Sequence, residues 1–172
     1  MERLYSPWRS KYIESFKIHS EDNKEDACIF CAALTNPNDK ERLVVHRGKL
    51  AFVIMNLYPY NSGHMMIVPN RHTADFGSLT PDEHADCSRL LQAAQAALID
   101  MSHPHGFNIG MNLGKAGGAG IEDHLHWHIV PRWNGDTNFM PTIADIKMVS
   151  EDMERQWQHL YTFFSTNLTA KE

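Results

Sequence analysis

Apolar positions recur with two different periods along this chain. Short runs are dense in β-branched and other apolar residues, and two longer runs carry a helical spacing. The stretch "LVVHRGKLAFVIMNL", from Leu43 to Leu57, reads as two β-rich runs joined by a turn at Arg47 and Gly48. A third run, "HMMIVP" at 64–69, follows the turn-forming Asn61, Ser62 and Gly63, so these segments predict an antiparallel meander. Two more strand-like runs, "GFNIGMNL" at 106–113 and "HLHWHIVPRW" at 124–133, flank the glycine-rich "GKAGGAG" at 114–120. Between the two groups lies "LTPDEHADCSRLLQAAQAALIDM", 79–101, with Thr80 as N-cap, Pro81 at the first helical position and acids in the first turn. This predicts one long helix. A closing helix is expected at 151–168, where Met153, Trp157, Leu160 and Phe164 share a face. The expected class is α+β, a mainly antiparallel sheet of about five strands with a long helix and a C-terminal helix.

The length of 172 residues suits a single domain, read as an arm at 1–26, a core at 27–140 and a helical extension at 141–172. The arm is polar and charged apart from Tyr5, Trp8, Tyr12 and Phe16. Apolar stretches such as "LAFVIMNLY", 50–58, fall short of the roughly 18 residues a spanning helix needs, and the N-terminus has no signal-peptide core, so a cytoplasmic, membrane-free protein is expected. A formal net charge of -5 argues against nucleic-acid binding through a general basic surface. Any anionic ligand must be held locally.

The chemistry concentrates in "HLHWHIV", 124–130. Side chains alternate along a strand, so His124, His126 and His128 are expected on one face, with rings about 6.5 to 7 Å apart, and Leu125, Trp127 and Ile129 on the other. That spacing allows several rings to act on one phosphate-sized centre, or one of them to reach a separate metal. His128 is placed to hydrogen-bond a nonbridging or leaving oxygen. The preceding loop offers Gly117, Gly118 and Gly120 for close backbone approach to a phosphate, and Lys115 for charge. Three cysteines make no disulfide framework, and "CIFC" holds Cys28 and Cys31 at a redox or metal spacing. A thioredoxin-like motif belongs at a strand-to-helix junction in a βαβ unit, whereas this one follows a charged loop, so half of a zinc site is the stronger reading.

The seven residues His124 to Val130 match the His-φ-His-φ-His-φ-φ motif, φ being apolar, of the histidine triad (HIT) family of nucleotide hydrolases and transferases. Stretches 56–69, 105–120 and 130–136 extend the resemblance over about half the chain, which looks closest to the bacterial diadenosine tetraphosphate phosphorylase-like branch. The resemblance implies a HIT-like fold, with His126 as a nucleophile that forms a nucleotidyl-histidine intermediate. It implies adenosine polyphosphates as substrates, with orthophosphate as a possible co-substrate. It matches Asn56 to a ribose contact and Asn112 to a residue near the phosphates. It completes a structural Zn2+ site by adding His72 and His124 to Cys28 and Cys31, and it implies a homodimer or homotetramer.

The chain also departs from the pattern. Many family members place a Gln or Ser shortly before the first triad histidine, where this one has "AGIED", 119–123. His64, Arg132 and Trp133 are weaker candidates, Arg132 for pairing an acid near the site and Trp133 for stacking on a base. Other readings are a hydrolase of nucleoside phosphoramidates or small nucleotide conjugates, a noncatalytic zinc-stapled nucleotide-binding module, and a metal-dependent hydrolase. The last lacks an accompanying carboxylate ligand set.

Overall fold

The computed structural model describes residues 28–136 and 152–168, so the expected N-terminal arm lies outside the described residues, as do residues 137–151. The elements are α1 (Ile29–Thr35), α2 (Asp39–Arg42), β1 (Val44–Arg47), β2 (Ala51–Met55), β3 (Met65–Pro69), a 3-10 turn (Phe76–Ser78), α3 (Pro81–Ser102), β4 (Gly106–Met111), β5 (Trp127–Arg132) and α4 (Met153–Asn167). The five strands form one sheet in the order β1-β2-β3-β5-β4, with every neighbouring pair antiparallel. The predicted meander is β1 to β3. The long helix α3 then carries the chain across the sheet to edge strand β4, and β5 closes the gap beside β3.

The register decides which residues meet the site. Ile54, Met66, His128 and Gly110 are partners across the sheet and share one face, while Val53, Ile67, Trp127 and Met111 share the other. On the second face Val53, Met55, Met65, Ile67 and Ile129 pack against Leu90, Ala94 and Leu98 of α3 and Trp157, Leu160 and Phe164 of α4. On the first, Phe52, Ile54, Met66 and Val68 pack beneath Phe30 and Ala33 of α1. With both faces covered, all five residues of β2 and all five of β3 are buried. This is why their sequences are continuously apolar rather than alternating.

Local chemistry sets the ends. Thr80 and Glu83 form the capping box of α3, with Pro81 following, and His103 closes the helix in the left-handed conformation at φ 45°. The β1–β2 turn is tied down by Asp86, whose Oδ2 accepts the N–H groups of Leu50 and Ala51 at 2.8 and 3.1 Å. Among the described residues no helix is long and apolar enough to cross a membrane.

Two elements go beyond what the sequence pattern showed. The "CIFC" segment, to which no element was assigned, opens a seven-residue helix, α1. Too short to be stable alone, it is held by burial of Phe30 and Ala33 and by Arg47. The Arg47 guanidinium donates to the carbonyls of Ala33, Leu34 and Asn36 near its C-terminal end, at 2.7 to 2.9 Å. The triad segment, expected to be one strand, joins the sheet only at Trp127. The Leu125 N–H instead reaches out to the Thr73 carbonyl at 2.8 Å. His124 and His126 therefore lie in the approach to β5, and His128 alone belongs to the strand.

The C-terminal helix also anchors the β2–β3 connection. Gln156 is buried on α4, and its Oε1 accepts the Gly63 N–H at 2.6 Å. Gly63 has φ +78°, and a Cβ there would lie 2.7 Å from Leu98, so only glycine fits this turn. Gln156→Leu would leave that N–H buried without its acceptor. The variant is expected to lose about 1–3 kcal/mol of stability, read as a lower urea midpoint with unchanged m-value.

Glu83 makes a second prediction. Its carboxylate takes two hydrogen bonds from Arg71, each 2.9 Å, and one from the Thr80 N–H at 2.8 Å. Arg71 above all, with the Thr80 backbone, pulls the Glu83 carboxyl down from 4.5 to about 2. The unfolded chain binds this proton more tightly than the folded one. The stabilisation is therefore complete above about pH 4.5 and disappears as pH falls toward 2. Thermal midpoints of Glu83→Gln should depend less steeply on pH across that window than those of the parent chain.

Candidate functional site

A short cysteine helix, the end of β3 and the approach to β5 converge beside the α1 face of the sheet. Cys28 is the N-cap of α1 and Cys31 lies three residues on, so both thiols project toward the same side. His124 sits against them with its ring fully buried. Its Nε2 is 2.8 Å from the Pro69 carbonyl, which can only accept, so Nε2 carries the proton and the Nδ1 lone pair faces the thiols. Nδ1 lies 3.3 Å from Cys28 Sγ and 3.7 Å from Cys31 Sγ, and His72 Nδ1 lies 3.3 Å from Cys31 Sγ. The four predicted ligands thus come together, all their donor atoms within 4.8 Å of one another.

Tetrahedral zinc with thiolate and imidazole ligands sets sulfur and nitrogen about 3.5 Å apart, which the three separations bracket. The donor chemistry fits as well. Burial, with smaller contributions from His72 and His126, lowers the His124 pKa to about 4, so the ring is neutral and its lone pair available at neutral pH. Burial and the adjacent Cys28 push the Cys31 thiol up to about 11. A cation between the sulfurs removes that repulsion and displaces the protons. These residues could hold one metal ion in a closed Cys2His2 set.

His126 is the next ring along. Its Nδ1 is 2.9 Å from the His124 carbonyl, again an obligate acceptor, so Nδ1 carries the proton and Nε2 carries the lone pair. The residue is 5% exposed, and burial lowers its pKa, keeping the imidazole neutral. Phe30 touches both neighbours, with ring centroids 5.4 Å from His124 and 5.0 Å from His126. The same helix that carries the thiols therefore walls the His126 ring. The His126 and His128 centroids are 4.9 Å apart at an interplanar angle of 77°, closer than the spacing expected of one regular strand.

The β2–β3 connection meets His128 from the other side. His64 is 1% exposed, and its Nε2 lies 2.9 Å from His128 Nδ1. The Tyr60 ring packs on both, its centroid 4.7 Å from His64 and 5.9 Å from His128. Asn56 joins this group, with Nδ2 3.4 Å from His64 Nδ1 and Oδ1 accepting the Tyr58 N–H at 3.0 Å. His64 was weak as a sequence candidate, and Phe30 and Tyr60 carried no signal as site residues. The available clue to His64 was a titratable residue opening a buried, continuously apolar run.

The glycine loop folds partly on itself. The Gly118 N–H donates to the Lys115 carbonyl at 3.0 Å and the Ala119 N–H to Gly114 at 3.2 Å, so these two donors serve the turn rather than an external anion. A Cβ at Gly117 would fall 2.4 Å from the Leu113 carbonyl oxygen, which makes glycine obligatory there. Asn112 fastens the loop, its Nδ2 donating to the Gly118 carbonyl at 3.3 Å, and both residues are half-buried. Lys115, Gly117 and Gly120 are exposed. Arg132 pairs an acid as expected, its Nη2 2.9 Å from Asp136 Oδ1, and also reaches Asn108 at 2.7 Å. The Trp133 indole is half-buried and donates to the Ser102 carbonyl at 3.4 Å.

Comparison with known proteins agrees with this geometry. The profile of the HIT domain matches residues 38–135. An AP-4-A phosphorylase of Mycobacterium tuberculosis is 39% identical over 153 residues, covering 88% of this chain and 78% of the relative. A bis(5'-nucleosyl)-tetraphosphatase (asymmetrical) of Schizosaccharomyces pombe is 27% identical over 123 residues, covering 72% of this chain and 64% of the relative. Among solved structures, a Zn-bound histidine triad family protein from Mycobacterium smegmatis superposes with a TM-score of 0.64 at 25% identity, covering 84% of this chain and 97% of that one. The triad sequence, the five-stranded antiparallel sheet and these matches make one conclusion: the chain belongs to the HIT domain family.

Proposed function

We propose that this chain is a nucleotidyl hydrolase or transferase that cleaves dinucleoside polyphosphates such as diadenosine tetraphosphate through a covalent intermediate on His126. The observation that carries the reading is the His126 ring itself. It is buried and neutral, with Nδ1–H bound to the His124 carbonyl, which leaves the Nε2 lone pair as nucleophile beside His128. The names of the Mycobacterium and Schizosaccharomyces relatives support the substrate class.

In this mechanism Nε2 of His126 attacks an α-phosphorus. A P–N bond forms as the P–O bond to the leaving polyphosphate breaks, and the leaving oxygen takes the electron pair with a hydrogen bond from His128. Water or orthophosphate then attacks the same phosphorus and breaks the P–N bond. Adenylyl transfer from diadenosine tetraphosphate gives ATP in the first step and AMP or ADP in the second. Two in-line displacements retain configuration at phosphorus. Asn56 is assigned to the ribose. Asn112, Lys115 and the backbone at Gly117 and Gly120 are assigned to the phosphates, while the Gly118 N–H, expected to share that task, is committed to the Lys115 carbonyl.

The metal assigned to Cys28, Cys31, His72 and His124 is zinc, supported by the donor set and by the Zn-bound relative. Held by these four residues, it would supply a crosslink between α1 and the approach to β5 rather than Lewis acidity. A homodimer fits the exposed edge strand β4, where Ile109 is 50% exposed and Leu113, just beyond it, 49%. A cytoplasmic location fits three free cysteines.

Incubation with labelled diadenosine tetraphosphate tests the activity. With orthophosphate, equal amounts of ADP and ATP are expected, and AMP replaces ADP where water is the acceptor. His126→Ala should lower turnover by about 10⁴-fold or more. Retained turnover would eliminate the covalent route. For the metal, the purified chain should carry one zinc and Cys31→Ser little. A structural site at about 1,000-fold saturation contributes about 4 kcal/mol. The midpoint of Cys31→Ser should therefore fall by about 10 °C in a calorimetric scan.

A further inference from the structure

His128 differs from the other two triad rings in where its proton is decided. His124 and His126 each donate to a backbone carbonyl. His128 lies inside β5, whose backbone groups are committed to ladders with β3 on one side and β4 on the other. Its Nδ1 faces a side chain, His64 Nε2 at 2.9 Å. Two neutral imidazoles can share such a bond in either direction, so the direction must be set elsewhere.

It is set at the far nitrogen of His64. The Tyr60 backbone N–H meets His64 Nδ1 at 3.1 Å, and a backbone N–H can only donate. Asn56 brings a second donor. Its Oδ1 is identified by accepting the Tyr58 N–H, so the amide end facing His64 Nδ1 at 3.4 Å is the NH2. A proton on His64 Nδ1 would point into both donors. The His64 proton therefore sits on Nε2 and donates to His128 Nδ1, and the proton of a neutral His128 is left on Nε2.

We propose that His64 is a positioning residue that fixes the ring proton of His128 on Nε2, so that His128 meets the leaving oxygen as a hydrogen-bond donor. Adjacent triad rings then hold opposite tautomers, His126 with its lone pair at Nε2 and His128 with its proton there. No proton need be transferred. The Nε2–H stabilises charge as the leaving oxygen takes the electron pair of the breaking P–O bond. The segment just before the triad, 119–123, contributes no amide or hydroxyl side chain to that task, which raises the demand on His128. The catalytic half of this proposal rests on the reading of His126 as nucleophile. The tautomer half does not.

The test uses the full chain with its metal, as the parent, His64→Leu and His64→Gln, the last able to donate through its Nε2 amide. Nitrogen-15 NMR of the histidine rings reads the tautomers directly. The proposal expects a His128 proton on Nε2 in the parent and in His64→Gln, and a proton shared between both nitrogens in His64→Leu. Turnover of phenyl esters of AMP with graded leaving-group acidity reads the consequence. His64→Leu should lose about 10²-fold with the least acidic phenol. It should lose much less with the most acidic, and His64→Gln should recover most of the difference. A proton on Nδ1 of His128 in the parent overturns the proposal, as does an equal loss across all phenols. Failure of the parent chain to turn over any nucleotide would remove the reading of His126 and the catalytic role of His64 together. The spectra would still decide the tautomer.

Discussion

A neutral imidazole has one proton and two nitrogens, and this fold is organised around deciding which nitrogen holds it. The Pro69 carbonyl takes the Nε2 proton of His124 and turns Nδ1 toward two thiols. The His124 carbonyl takes the Nδ1 proton of His126 and frees Nε2. Carbonyls accept and never donate, so these assignments follow from position alone and need no fine balance of energies. Burial adds to them by holding both rings uncharged.

Holding rings in place at this precision requires a covered sheet. β2 and β3 are enclosed between α3 and α4 on one face and α1 on the other. The metal-binding group and the His126 ring share a wall, because Phe30 lies between Cys28 and Cys31 in the chain and touches His124 and His126 in space. A metal there would act on His126 by stiffening that wall.

The outlying parts of the site are tied to helices through two buried side chains, Gln156 and Glu83. Gln156 of α4 holds Gly63, the residue before His64. Glu83 in the first turn of α3 holds Arg71, the residue before His72. In each case the anchored residue is a chain neighbour of the functional one, so the helix steadies the histidine without occupying its hydrogen-bonding atoms.

Much of this protein was legible in its residues. Period-two and continuous apolar runs marked the strands, and Thr80, Pro81 and Glu83 marked α3, because those signals act over a few neighbouring residues. The triad and the Cys28–Cys31 pair announced themselves by spacing, and His72, though far from both in sequence, was found by resemblance. What tertiary structure alone decided were contacts between distant segments. α1 escaped prediction because a seven-residue helix is stabilised by Arg47 and by burial rather than by its own propensity. The start of β5 at Trp127 depends on Thr73 capturing the Leu125 N–H, a bond no local pattern encodes. His64 could be singled out as a weak candidate but given no role, since its partner lies 64 residues away and its proton is directed by Tyr60 and Asn56 across a turn. Local sequence determines which side chains are present and which faces they can share. Only the closed fold determines which donor meets which acceptor.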